Sequence, residues 1–341
     1  MRQGSIHVAF VLSGVAGLAY EVIWSRYLGL YVGHSAYAQV LVLTVYLGGM
    51  AVGSLATAGR SKTLAEPLRW YAAAEGLLAL FGLAFHTLFI FATDFSYGVL
   101  FPALGSAGAV GAGRWAIAGL LIFPQAVILG TTFPLMAAGL VRGSENRPGD
   151  GVAQAYLLNT LGGAAGVLLC GFWLIGWLGL PGTSVAAAFL NVAAAGLVMF
   201  SIGWKGSSTG VAQPPASGTI SGWKDPSGGT RLSDSSTPRS SGKPTAGNGW
   251  APDGVKLLPI LLLVSFATAF ASFAYEIAWI RMLSLVLGSA THAFELMLSA
   301  FILGIALGAL CIRNRVDQAE SPIRMLGVIQ VLMGLTALAS V

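Results

Sequence analysis

Between Ile6 and Leu30 the chain runs through 25 residues in which only His7, Glu21 and Arg26 can carry charge. A helix rising 1.5 Å per residue needs about 20 such residues to cross the roughly 30 Å hydrocarbon core of a bilayer. Stretches of this kind recur. Their lengths place helices over residues 7–30, 35–58, 68–92, 115–141, 152–178 and 183–203, then, after a polar interruption, over 257–286, 290–312 and 323–341. Hydrocarbon offers backbone N–H and C=O groups no water, so segments of this composition satisfy them internally as helices. The whole chain agrees: 55% of its residues are hydrophobic and 9% charged, against about 25% charged in a soluble domain. Its mean hydropathy is +0.77. The reading is an all-α, polytopic helical membrane protein. The first apolar stretch is too long for a cleavable signal and lacks a small-residue cleavage site. The glycine-rich stretch Phe95–Gly113, with Pro102, reads as a loop on the outer side, either free or partly interfacial.

Basic residues set the orientation. If the helices alternate, fifteen of the eighteen Lys and Arg residues fall on one side: Arg2, Arg60, Lys62, Arg69, Arg142, Arg147, Lys205, Lys224, Arg231, Arg239, Lys243, Lys256, Arg313, Arg315 and Arg324. Arg114 alone lies in a loop of the other side; Arg26 and Arg281 lie within or at the ends of spans. The positive-inside rule makes the basic side cytoplasmic, with the N-terminus there, in the inner (plasma) membrane of a bacterium. The sequence pI near 9.4 therefore reflects topology, and no clustered basic stripe points to nucleic acid. Residues 204–255, rich in Ser, Gly, Pro and Thr, read as a disordered cytoplasmic linker, because such a composition cannot bury enough apolar surface to offset the entropy of ordering.

An internal repeat crosses that linker. "AYEVIWSRYLGL" (Ala19–Leu30) returns as "AYEIAWIRMLSL" (Ala274–Leu285), 255 positions on. Without a gap, eighteen of the 51 positions from Ala19 to Arg69 are identical to their counterparts. Leu and Ala matches are cheap in such a chain. Matches at Tyr20/Tyr275, Glu21/Glu276, Trp24/Trp279, Arg26/Arg281, Arg60/Arg315, Pro67/Pro322 and Arg69/Arg324 are not, and Gly33, Gly49 and Gly53 return as Gly288, Gly304 and Gly308. Six spans, an even number, separate the copies, so both point the same way through the membrane. This is the layout of a major-facilitator-like parallel repeat. Residues 1–203 form the first six-helix repeat, 204–255 the linker, and 256–341 the first three helices of a second, incomplete half. On this layout counterparts of the spans between Arg114 and Gly203 are still owed after Val341.

"SGVAGLAYEVIWSRYLGLYVGHSAYAQVLVLTVYLGGMAVGS" (Ser13–Ser54), "GTTFPL" (Gly130–Leu135), "AYLLNTLGGAAGVLLCGFWLIGWLGLPGT" (Ala155–Thr183) and the second "AYEIAWIRMLSLVLGS" together resemble the fused major-facilitator-like/spermidine synthase membrane proteins. The resemblance covers nearly the whole chain outside the linker. It implies a cytoplasmic, spermidine synthase-like domain after the membrane part, in a longer or partner chain. That domain would have a Rossmann-like fold, bind decarboxylated S-adenosylmethionine and transfer an aminopropyl group to putrescine. The sequence departs from the pattern here, because it contains no such domain, and as given it reads as non-catalytic.

Nothing in the membrane part supplies the missing chemistry. "NTLGGAAG" (Asn159–Gly166) follows no strand and has no acidic partner at ribose-binding distance, so it is not a dinucleotide loop; its glycines allow close helix packing. No soluble acidic cluster awaits a polyamine, the four histidines show no metal-ligand spacing, and Cys170 and Cys311 suggest neither a disulfide framework nor a metal site. No cofactor site is expected. What remains is charge in apolar context: Glu21, Arg26, Glu75, Glu276, Arg281 and Glu295. Such a charge costs about 3 kcal/mol on insertion scales, so these groups face the bundle interior, pair, or line a path. Glu21 and Arg26, five residues apart, do not stack on one helix face; Glu21 can pair instead with a neighbouring helix, Arg281 included. Glu75 aligns with Gln330 and Glu295 with Val40, which makes each the weaker candidate. Asn159 is either packing glue between helices or part of a polar path. Pro124 and Pro134 kink the fourth helix, for gating or statically. Three functions stay open: a transporter-like module for a small solute such as a polyamine, a membrane anchor for an aminopropyltransferase, and a structural scaffold. The expected partners are the lipid bilayer, a small cationic solute and the soluble domain.

Overall fold

The computed structural model describes residues 2–143, 148–208, 254–316 and 321–339. Ten α-helices follow in chain order: α1 (Arg2–Val32), α2 (Ser35–Ala58), α3 (Pro67–Phe95), a short α4 (Phe101–Leu104), α5 (Ala107–Gly143), α6 (Pro148–Leu169), α7 (Ile175–Ser208), α8 (Gly254–Leu287), α9 (Ala290–Val316) and α10 (Pro322–Ala339). Among the described residues there is no strand, and seven helical stretches are long and apolar enough to cross a membrane. The chain is a multi-pass membrane protein whose described residues form an all-helical fold. One stretch, Gly151–Gly203, has 53 residues, roughly 80 Å of helix at 1.5 Å per residue and far more than a bilayer is thick. It is broken at Gly179, whose φ of 66° and ψ of 178° leave the helical region. Glycine reaches that conformation without a Cβ clash, and Pro181 two residues on can start the next leg. The break falls where the sequence separates 152–178 from 183–203. Most of the linker, residues 209–253, lies outside the described residues.

One expectation is corrected. Phe95–Gly113 is largely helical: α3 passes into a π-turn at Ser96–Leu100 and then into α4, and α5 begins at Ala107. Pro102 sits in the first turn of α4, directly after the π-turn. Only Gly105, with φ of 64°, and Ser106 interrupt the run.

Close contacts fix the helix directions. A Cβ on Gly162 would lie 2.5 Å from the Val11 carbonyl oxygen, and one on Gly166 2.4 Å from that of Val15, so α1 and α6 run parallel. A Cβ on Gly49 would meet Ala126, and one on Gly53 the Val127 carbonyl oxygen at 1.9 Å, so α2 and α5 run parallel. The Ser299 hydroxyl donates to the Ala164 carbonyl, and Glu295 touches Gly171, so α9 runs against α6. It therefore runs with α2, its counterpart in the repeat. The two basic connections on one end also meet: the Arg142 guanidinium donates to the Leu64 carbonyl and, at 3.0 Å, to that of Ala65.

Counterpart positions share local geometry. Gly33 and Gly288 both turn the chain at positive φ, 78° and 67°. His34 and Ser289, equivalent positions, both accept from the backbone N–H three residues on, each at 3.4 Å. Tyr20 stacks on Trp24 at 5.6 Å and Tyr275 on Trp279 at 5.9 Å.

By contacts the chain divides into two compact units: residues 1–206 with 273–341, and residues 207–272. The apolar core of the first is lined by α1, α2, α3, α5 and α9, with Tyr20, Trp24, Tyr31 and Phe85 among its largest fully buried side chains. In the second, the described residues are 207–208, at the end of α7, and 254–272, within α8, whose Leu262, Leu263, Phe266 and Phe270 are exposed, as suits a lipid-facing span.

Candidate functional site: charged groups inside the helix bundle

Three acidic sites lie in the interior. The first is built on a seven-residue spacing, which returns a side chain to the same helix face after two turns. On α1, Ser13 donates to Glu75 Oε1 at 2.6 Å, and Tyr20, seven residues on, donates to Asn191 Oδ1 at 3.2 Å. Asn191 in turn donates through Nδ2 to Glu75 Oε2 at 2.7 Å. Ser184, seven residues before Asn191, donates to the carbonyl of Gly82, seven residues after Glu75, at 2.7 Å. The second leg of α7 therefore runs antiparallel to α3. The Tyr71 hydroxyl sits beside Ser13 and Glu75 outside hydrogen-bond geometry. Glu75 is fully buried and is held by neutral donors alone.

The second site joins the two copies. Arg26 Nη2 on α1 lies 2.5 Å from Glu295 Oε1 on α9. His292, one turn before Glu295, contacts Oε2 at 2.9 Å. The Phe172 ring stacks on His292, with centroids 4.9 Å apart. Glu295 is completely buried, whereas the Arg26 side chain is 24% exposed. The carboxylate fits because Gly171, in a π-turn at Cys170–Leu174, has no side chain: a Cβ there would stand 2.1 Å from Glu295 Cδ.

The third site is Glu21 with Glu276. Both are buried, at 2% exposure, and close enough to feel each other's charge. Each has one carboxylate oxygen without a hydrogen-bond partner, as does the buried Trp24 Nε1. The Tyr46 ring, edge-on to Trp24 at 6.0 Å, also lies near Glu21. Among the described residues neither glutamate has an ion-pair partner.

The structure thus buries Glu21 and Glu276 within range of each other's charge and gives Arg26 a different acid from the one the sequence offered. Arg281 does not pair with Glu21. It is exposed and lines a small pocket with Gln39, Val40, Ile277 and Phe294. Position 281 thus stands beside position 40 as position 26 stands beside position 295, its counterpart. Asn159 joins none of the three sites: its backbone and side chain pack over Gly14, where a Cβ would come within 2.2 Å of the Asn159 carbonyl oxygen. Sequence reading passed over Asn191, Ser13 and Tyr71, and it discounted Glu295. The seven-residue spacing of Ser13 with Tyr20, Glu75 with Gly82 and Ser184 with Asn191 was the available signal.

A buried carboxylate pair without a basic partner can take up a proton or a small cation, because either offsets the repulsion and the desolvation of two like charges. Among the described residues no three His, Cys, Asp or Glu side chains converge as a metal site requires. No protein-family model, no curated protein and no solved structure matches the chain.

Proposed function

We propose that the chain is a transporter-like membrane module, of the kind fused to spermidine synthase-like domains, whose interior acidic pair handles a small cation. One observation carries the reading: Glu21 and Glu276, equivalent positions 255 residues apart, are both buried within range of each other's charge, and among the described residues neither has an ion-pair partner. Two like charges so placed cost energy unless a proton or cation joins them. A pair serving only to pack helices gains nothing from being acidic, since apolar residues of similar volume fill such a site as well or better.

Further observations support two parallel repeats. Counterpart helices α2 and α9 run the same way, the turns at Gly33 and Gly288 share a conformation, and each copy's arginine stands against the second helix of the other copy. A polyamine, a string of ammonium groups, is the solute class that the sequence resemblance implies, and a soluble spermidine synthase-like domain is the partner it implies.

The test is transport by the full chain in vesicles, with labelled putrescine as solute and a pH dye in the lumen. Glu21→Gln and Glu276→Gln keep shape and most hydrogen bonding while deleting the charge. Each is expected to fold like the parent and to lose at least tenfold in putrescine or proton flux per folded molecule. Parent vesicles no more permeable than protein-free ones, or glutamine variants with unchanged flux per folded molecule, would overturn the proposal and leave a repeated structural anchor.

A further inference from the structure

The two copies of the repeat differ most in what covers them. In the first, α5 lies across α2 and α3. Gly49 and Gly53 form the floor of the crossing, where added Cβ atoms would collide with Ala126 and with the Val127 carbonyl. On the facing side, a Cβ on Gly130 would stand 2.2 Å from the Met50 carbonyl oxygen, and one on Gly139 2.4 Å from the Leu68 side chain. The seat is thus made by Gly49, Met50, Gly53 and Leu68, and its occupant presents Ala126 and Gly130, small residues four apart, on a parallel helix.

The counterparts of those seat residues are Gly304, Ile305, Gly308 and Ile323, on α9 and α10. All are uncovered. Cβ atoms on Gly304 and Gly308 would meet nothing within 4 Å, Ile305 is 41% exposed and Ile323 42%. Leu303 and Leu307 beside them are exposed as well. Small residues spaced four apart let helix backbones approach closely in a membrane, where packing and not water expulsion drives association.

We propose that the Gly304–Gly308 face of α9, with Ile305 and Ile323, is the seat of a partner transmembrane helix of the α5 kind: apolar, parallel to α9, and presenting small residues four apart at the crossing. The α2–α5 crossing in the same molecule is the precedent for geometry, direction and composition. The inference rests on the repeat alone and is independent of what the acidic pair does.

The probe is a peptide with the sequence of residues 107–143 carrying an acceptor dye, in vesicles holding the full chain labelled with a donor at a cysteine introduced by Gly4→Cys, with Cys311→Ser. Gly4 is exposed with open space around it and Cys170 is buried, whereas Cys311 shares the helix face of Gly304 and Gly308 and a dye there would fill the seat. The chain's own α5 is tethered beside α2 at high effective concentration, so the peptide does not displace it. Saturable energy transfer is expected. Gly304→Ile with Gly308→Ile should weaken it at least tenfold, and so should Ala126→Ile with Gly130→Ile in the peptide. The α9 substitutions meet open space, so the chain should elute and melt as the parent does. Transfer no greater than with a scrambled peptide, or transfer indifferent to the α9 substitutions, overturns the proposal. So does transfer between donor- and acceptor-labelled copies of the chain that Gly304→Ile abolishes, because it assigns the face to a second copy.

Discussion

Arg26 and Glu295 form a cross-copy ion pair at 2.5 Å with one partner fully buried. Removing one member of a buried pair strands the other. Glu295→Gln and Arg26→Met should each lower stability by about 3 kcal/mol, the low end for buried pairs because Arg26 is partly exposed. Combining Arg26→Met with Glu295→Leu should recover most of that loss in a thermal melt in detergent; two additive losses would show that the groups act separately. Why the sequence hid this pair is physical. A repeat marks residues that return, and position 295 returns as Val40, so the symmetry that flagged Glu21 and Glu276 passed over the one acid that Arg26 binds. Asn191 and Asn159 lie on equally apolar helices, and apolarity all round a helix leaves no moment to tell which side is inside. Glu21 and Glu276 were legible because a carboxylate in hydrocarbon is costly wherever it points.

At the scale of elements, length and hydropathy located nearly every span, and what they missed was continuity. The stretch from Phe95 to Gly113 looked like a loop because Gly and Pro are helix breakers in water. Within a membrane-spanning bundle the helix is the only way to satisfy the backbone, so α3 continues through a π-turn instead. The same physics makes helix crossings depend on absent side chains. Gly53→Ala places a Cβ 1.9 Å from the Val127 carbonyl oxygen, and a backbone atom cannot swing aside as a side chain would. Its cost should reach about 3 kcal/mol, the upper range for overpacking. Gly308→Ala, the same change in the counterpart copy, should leave the melting temperature within error. Equal effects would mean that the two faces are equally covered.

For the whole molecule, the contact of Arg142 with the Leu64 and Ala65 carbonyls ties two basic connections together at one end of the bundle. The expectation from the positive-inside rule is that this end faces the cytoplasm. A phosphatase active only outside the cytoplasm should be silent when inserted after Gly218 and active when inserted after Gly105; the reverse pattern would invert the orientation and remove the ground for reading Arg2 and the linker as cytoplasmic. The ion pair between the copies bears on how the molecule is made. Arg26 and Glu295 are 269 residues apart in the chain. At about 5–20 residues per second, synthesis leaves roughly 15–50 s between the emergence of the two. Through that interval α1 must sit in the bilayer with a guanidinium unmatched by its eventual partner. Its place near the end of α1 lets the long side chain reach the interface meanwhile. The latch between the copies therefore closes late in biogenesis, after the helices of the first repeat have been synthesised, and it cannot be what steers α1 into the membrane.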